Sequence, residues 1–432
     1  MRTVKKAIFL LPLILIFSSS STHTSSKNIY WGFPAHQRIN KMAVFTLPEE
    51  MLPLYKKHIV YLTEHAVDAD KRRYASVAEG YNHFLDFEFN GKLNHNYYHA
   101  VFENASIYCI DTLGKRVLIS DKKTLHKRGK DYYFTAPAIK YIFGRDSVVV
   151  ADTFVQSFMY YLTHLKRSHD SLRIHPDSLR EIFLKEKLYA KVPLKNVYAI
   201  DTVYKHGILP YAIQRTYYGL VKAFLSLDEV KILKLSADLG HYVADAHVPL
   251  HTTRNYNGQF TGQEGIHAFW ESRLPDIFSE NQYTYYVGSA KYIENISPFV
   301  FKIIADSYAD SHRVLFEEKQ LANKTPPDKK YAILSVGKSP PQRVYNLPYS
   351  NAYHTALNGM VEARMQKSIL ALGSLWYSAW VEAGKPNLKN LPQKPRPTKL
   401  DADDLDLTEE AHLLKVGDSL FLAQKKMLGR EE

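Results

Sequence analysis

The stretch Ala237–Pro275, "ADLGHYVADAHVPLHTTRNYNGQFTGQEGIHAFWESRLP", decides how the chain is read. It sets His241, Asp245, His247, His251, His267 and Glu271 among residues suited to a core. Upstream, Val230, Leu233 and Ala237 share a helical face with His241, so His241 and Asp245 are expected to point inward. Ser226 and Glu229 have the S-x-x-E spacing of a capping box, which predicts the helix start. Pro249 lacks a backbone donor and must end or kink the helix, placing His251 just past a bend.

His241 and Asp245 lie four residues apart, and His267 and Glu271 repeat that spacing, so each pair projects from one helix face. A buried carboxylate is costly unless it is paired or bound to metal. Two such pairs with His251 between them predict a metal pocket inside the core. Imidazole nitrogen with carboxylate oxygen favours zinc over magnesium or calcium. His247, two residues from Asp245 and on another face, reads as structural.

Working outward, most of the chain carries apolar residues at helical spacing: Leu47–Asp68, Thr153–Leu165, Ile208–Phe224, Ser289–Leu321 and Ala352–Ala383. Arg116–Ser120 and Ser147–Asp152 are the best strand candidates, in or beside a loop or insertion at Asn104–Lys130. The insertion as a whole is placed at Tyr97–Gly144. A Pro-rich linker at Lys385–Lys399 and an acidic run lead into a tail, so 385–432 reads as an appendage to a domain spanning 31–384.

The N-terminus reads as a secretory signal over residues 1–20, with its boundary as late as 30. Arg2, Lys5 and Lys6 precede the apolar run Ala7–Phe17, and small polar residues follow it. An exported protein, periplasmic or secreted, is therefore expected. The formal net charge is +12, and removing those three cations without loss of any acid leaves +9, a balance suited to an anionic partner. Hydrophobic content of 45% allows a large core, while a mean hydropathy of −0.30 excludes a polytopic membrane protein. Cys109 is the only cysteine, so stability must come from packing or metal rather than an internal disulfide.

Further donors lie upstream. "WGFPAHQRIN" holds Trp31 and His36, "HAVDADKRRY" holds His65, Asp68 and Asp70, and "EGYNHFLDFE" holds His83. With "GHYVADAHVPLH" and "HAFWE", in this order, they span Trp31–Pro275. Together they resemble the zinc-dependent phospholipase C / S1-P1 nuclease superfamily, and the H-x-x-x-D-x-H-x-P-L-H element is the most specific part. The resemblance implies a mainly α, multi-helix fold with a trinuclear zinc cleft, to which the insertion adds a small β-containing element. It implies one zinc on Asp70, His83, His241 and Asp245, and a second on His251, His267 and Glu271. A third would sit on His36, Asp245 as a bridge, and the backbone of Trp31. Asp70 matches the family's A-D-x-x-R pattern, with Asp68 as the alternative. In the family the Trp is the mature N-terminus. Here it lies 14 residues beyond Phe17 and after Tyr30, so a second maturation step would be needed to expose it.

The activity implied is phosphate-ester hydrolysis by metal-activated hydroxide, with Asp70 orienting or deprotonating the water. Glu271 and the short His251–His267 interval lean to the phospholipase C branch. The short Trp31–His36 spacing leans to an S1/P1-type single-strand nuclease/3'-nucleotidase, the alternative. A non-catalytic zinc-dependent exported binding protein is the alternative of another class. The expected partner is a phospholipid headgroup or nucleic acid, with peripheral membrane contact and a monomeric chain. Arg72, Arg73 and Arg254 are available for phosphate, against surface charge as the alternative reading.

Overall fold

A computed structural model describes residues 33–73, 76–90, 92–111, 113–163, 171–173, 191, 195–334, 341–389 and 391. The segment read as a secretory signal, Trp31 and the tail beyond 391 lie outside them. The described chain is mostly helical, as expected. Its long helices are α1 (Phe33–Ala43), α2 (Asp152–Thr163), α3 (Leu209–Leu225), α4 (Glu229–His247), α5 (Ile296–Lys324), α6 (Leu347–Ala356) and α7 (Met360–Glu382). No helix among the described residues is long and apolar enough to cross a membrane.

Helix α4 is the axis of the fold. It packs against α1, α3, α5 and α7, so every residue from Ser236 to His247 is buried, not one face alone. Its start differs from the capping-box expectation. Ser226 closes α3, Leu227 takes a left-handed φ of 51°, and the Asp228 side chain accepts from Lys231 N. The tight reversal consumes Ser226 and leaves Asp228 to cap the new helix. At the other end the helix stops at His247, and a 3₁₀ turn from Pro249 to Thr252 carries His251, as Pro249 requires.

Three other helix expectations are corrected. Ala352–Ala383 breaks between Ala356 and Met360, where Asn358 and Gly359 take φ of 49° and 74°. Leu47–Asp68 is not continuous: it breaks into Leu52–Lys57, Ile59–Glu64 and a 3₁₀ turn at His65–Val67. The segment from Ser289 to Asn295 has no regular structure, and α5 begins only at Ile296. Pro298 has no N–H to give, so it belongs in a first turn and the helix cannot reach back to Ser289.

The segment read as an insertion carries β structure beside two short helices, Tyr97–Asn104 and Ala138–Phe143. Strands β1 (Ser106–Ile110), β2 (Arg116–Ser120), β6 (Ser171–Arg173) and β7 (Lys195–Ile200) form an antiparallel sheet in the order β2-β1-β7-β6. A second sheet has the order β3-β4-β5, from Leu125–Arg128, Asp131–Phe134 and Val148–Val150. Both strands expected from sequence are present. Strands pairing with β1 run on to Ile200, well past Gly144. A hairpin of β8 (Tyr331–Leu334) and β9 (Gln342–Tyr345) lies between α5 and α6. The start of the Pro-rich stretch packs back on the core, with Leu388 buried and Trp380 Nε1 donating to Pro386 O.

One close approach fixes α1 on α4. Asn40 of α1 donates to Leu62 O at 3.1 Å and to Ala237 O at 3.2 Å. A Cβ at Gly240 would lie 1.9 Å from Asn40 Oδ1. The absence of a side chain at Gly240 thus lets the helices meet, and one turn away His36 stacks on His241 with centroids 4.3 Å apart. Gly240→Ala is expected to destabilise the fold by about 1–3 kcal/mol through overpacking, read as a lower midpoint in denaturant unfolding. An unchanged midpoint would show that this contact does not set the helix spacing.

Candidate metal centre

Eight donor side chains expected from sequence, from His36 to Glu271, converge on one region in three groups: His36/His241/Asp245, Asp70/His83/His241 and His251/His267/Glu271. Within each group the donor atoms lie within 4.8 Å of one another. The middle of the region is Asp245. Its Oδ2 is 2.9 Å from His83 Nδ1 and 3.4 Å from His241 Nε2. Its Oδ1 is 3.5 Å from His36 Nε2 and 3.9 Å from His251 Nε2. Asp70 Oδ1 stands 3.8 Å from both His83 Nδ1 and His241 Nε2. Glu271 is reached by His36 at 3.1 Å, His251 at 3.2 Å and His267 at 2.8 Å.

The backbone decides which imidazole nitrogen faces inward. His241 Nδ1 donates to Ala66 O at 2.9 Å, and His251 Nδ1 to His83 O at 2.5 Å. The Nε2 of a neutral His251 ring therefore presents a lone pair to Asp245 and Glu271 oxygens, and that of His241 faces His83 Nδ1 at 3.0 Å and Asp245 Oδ2 at 3.4 Å. Lone pair against lone pair is unfavourable, so the region needs either protonated rings or a cation among the donors. Without a metal, the ring proton would have to serve. Burial would lower the His251 pKa, but Asp245 and Glu271 push it up to about 9. Burial likewise opposes ionisation of Asp245, yet His241 and His251 hold it well below the usual carboxylate range. Neutral imidazole with a backbone-bound far nitrogen is also the form that ligates metal. Donors about 3.3 Å apart are what a tetrahedral ion with bonds of about 2.0–2.1 Å requires, and the separations found here bracket that value. The residues fit metal ions.

Local structure delivers the donors. His267 sits in a short helix, Ile266–Ala268, whose next segment, Phe269–Arg273, is π-helical. Pro275 has no N–H for Glu271 O, so the ordinary α bond is missing there. His83 is held from behind. Its Nε2 lies 3.7 Å from Glu79, whose carboxylate accepts from Tyr242 OH and the Arg72 guanidinium. Burial raises the Glu79 pKa, but His83 and Arg72 hold it at about 2.

Several alternatives are resolved by position. Asp68 is bound to His65 and Lys71, away from the donors, whereas Asp70 joins them. His247 donates Nδ1–H to Val243 O, and burial drives its pKa down to about 3, in keeping with a structural role. Arg72 is committed to Asp238 and Glu79, and so serves the fold rather than a ligand. Arg73 pairs with Asp70 at 3.4 Å. Trp31 lies outside the described residues. Glu79 and Tyr242 were not anticipated. The one signal for Glu79 is its four-residue spacing from His83.

No family model, curated protein or solved structure matches the chain. Asp245→Ala is expected to cost metal from the groups it joins, lowering the metal-to-protein ratio by elemental analysis. Asp68→Asn should leave the ratio unchanged, and equal ratios in the two variants would remove Asp245 from the centre.

Proposed function

We propose that the chain is an exported zinc-dependent hydrolase of phosphate esters. One observation carries the reading: three carboxylates and five imidazoles converge in three neighbouring groups, two of which share His241, at the foot of a buried helix. The chemistry zinc supplies in such a site is charge for phosphate oxygens and depression of a water pKa from 15.7 toward ~7. Oxygen and nitrogen donors with no thiolate suit it.

The chain's own residues would divide the work. Asp245 sits between groups and ties them into one unit. Asp70 is the more open carboxylate, 18% exposed against 1% for Asp245. It would orient the attacking water and take its proton. The water oxygen bonds to phosphorus as the bond to the ester oxygen breaks, and the departing oxygen leaves as the alcohol after taking up a proton. Glu79, through His83, and the carbonyls of Ala66 and His83 keep the rings from turning.

The phospholipase C-like reading of the substrate rests on Glu271 and the short His251–His267 interval. A single-strand nuclease is favoured by one observation, exposed aromatic rings on this loop and near it, Phe89 and Phe260 at Arg254 and Tyr256 at His267. The test is release of p-nitrophenol from p-nitrophenylphosphorylcholine, run beside digestion of single-stranded DNA, with and without EDTA. EDTA is expected to abolish turnover and zinc to restore it. Zinc without either activity would leave a binding protein, and absence of zinc from the purified protein would sink the enzyme reading.

A further inference from the structure

The five imidazoles of the centre are not held alike. The far nitrogens of His241 and His251 donate to backbone carbonyls, and that of His83 faces Glu79 at 3.7 Å. The far nitrogens of His36 and His267, Nδ1 in both, are buried and have no hydrogen-bond partner among the described residues. His36 differs from His267 in one respect. It lines a cavity of about 30 Å³ enclosed by α1, the foot of α4, the π-helical segment and α7.

Two more residues of that lining carry an unpartnered buried atom, Trp270 Nε1 and Ser368 Oγ. A buried indole N–H or hydroxyl ordinarily has a partner, and the rest of the fold obeys this. Trp376 donates to Ser236 O at 3.1 Å and Trp380 to Pro386 O at 2.9 Å. Ser307 donates to Ala246 O at 2.6 Å. Three orphans on the wall of one cavity therefore point to a shared partner inside it. His247 lines the same cavity. Its Nδ1 donates to Val243 O, so the neutral ring keeps a lone pair on Nε2. Arg364 also lines it, but its guanidinium is spent on Asp310, Ser307 and Asp306 O.

The lining selects its occupant. An anion would meet the lone pair of His247 and the carboxylate of Glu271, and a cation would meet the indole N–H and a guanidinium. Water both accepts and donates, and it needs only about 10–15 Å³ of such space. We propose that the cavity holds an ordered water that accepts from His36 Nδ1–H and Trp270 Nε1–H, donates to Ser368 Oγ and His247 Nε2, and thereby fixes the His36 tautomer. With its proton kept on Nδ1, His36 presents the Nε2 lone pair to the group it forms with His241 and Asp245. The water does for His36 what the carbonyls of Ala66 and His83 do for His241 and His251. Trp270 and Ser368 are then positioning residues that act on the centre through His36. The assignment rests on the metal-centre reading and not on the choice of reaction.

The experiment uses the full zinc-loaded chain. A high-resolution crystal structure is expected to place a water within hydrogen-bond reach of His36 Nδ1 and Trp270 Nε1. A dry cavity, or anomalous scattering from bromide inside it after a bromide soak, would overturn the proposal. Trp270→Phe keeps a ring and removes the N–H, and Ser368→Ala removes the hydroxyl. Each is expected to weaken the most readily chelated zinc by about tenfold, the scale for losing an outer hydrogen bond to a ligating histidine. In the ¹⁵N spectrum of the histidines, the His36 Nδ1–H is expected to exchange with solvent faster in both variants, a change that lost packing alone would not give. Trp376→Phe is the control, because its N–H serves a backbone carbonyl. It should lower the unfolding midpoint and leave zinc affinity as it was. Equal zinc loss in Trp376→Phe and Trp270→Phe, or wild-type affinity in both cavity variants, would end the positioning role. A wild type that holds the water yet binds no zinc would end the metal-centre reading and keep the water site.

Discussion

Everything in the core answers to one electrostatic constraint: Asp245 is 1% exposed and has imidazole nitrogens on every side. An ionised carboxylate in such a place costs several kcal/mol of desolvation unless its charge is met at close range. Two of the facing rings, His241 and His251, are locked by backbone carbonyls so that their free nitrogen must face the carboxylates. Stability alone gives no reason to build this, since apolar residues of like volume would fill the space with less conflict. The arrangement makes physical sense as a receptor for positive charge, and the helices around α4 hold the receptor in shape.

That constraint explains why part of the fold was legible. The spacing of His241 and Asp245, and of His267 and Glu271, is local and follows from helix geometry, so sequence alone placed each pair on one face. Pro249 was equally readable, because a missing donor acts at its own position. The capping box failed for an instructive reason. Ser226 and Asp228 both have capping chemistry, and the choice between them was made by the reversal from α3, with Leu227 forced to a positive φ. Pattern alone could not see that competition.

What stayed hidden is non-local. His36 was expected through the family resemblance alone; what spacing did not show is how it reaches the centre, through Asn40 and Gly240 letting α1 and α4 touch about two hundred positions apart. Glu79 is bound to its role by Tyr242 and Arg72, neither near it on a periodic face. The insertion shows the same limit. β1 pairs with the adjacent β2 but also with β7, some ninety residues on. Arg116–Ser120 could be read as a strand, while the reach of the sheet to Ile200 could not.

The donor set and the rim therefore answer different questions. His, Asp and Glu side chains meeting around a point suit a cation. Contact with anything larger falls to side chains outside that cage, and the loop between two donors, His251 and His267, exposes Tyr256, whose ring meets His267 edge-on. The loop's amides are spent on its own shape, with Gln263 tied down by a glutamate that also holds Lys330 and Tyr349. A loop stiffened in this way loses little entropy on binding. It can hold solvent-exposed rings beside the centre without letting them collapse onto the donors. The separation follows from the physics of each part: buried charge demands a fixed cage, whereas recognition demands exposed surface, and the His251–His267 segment is where the two meet.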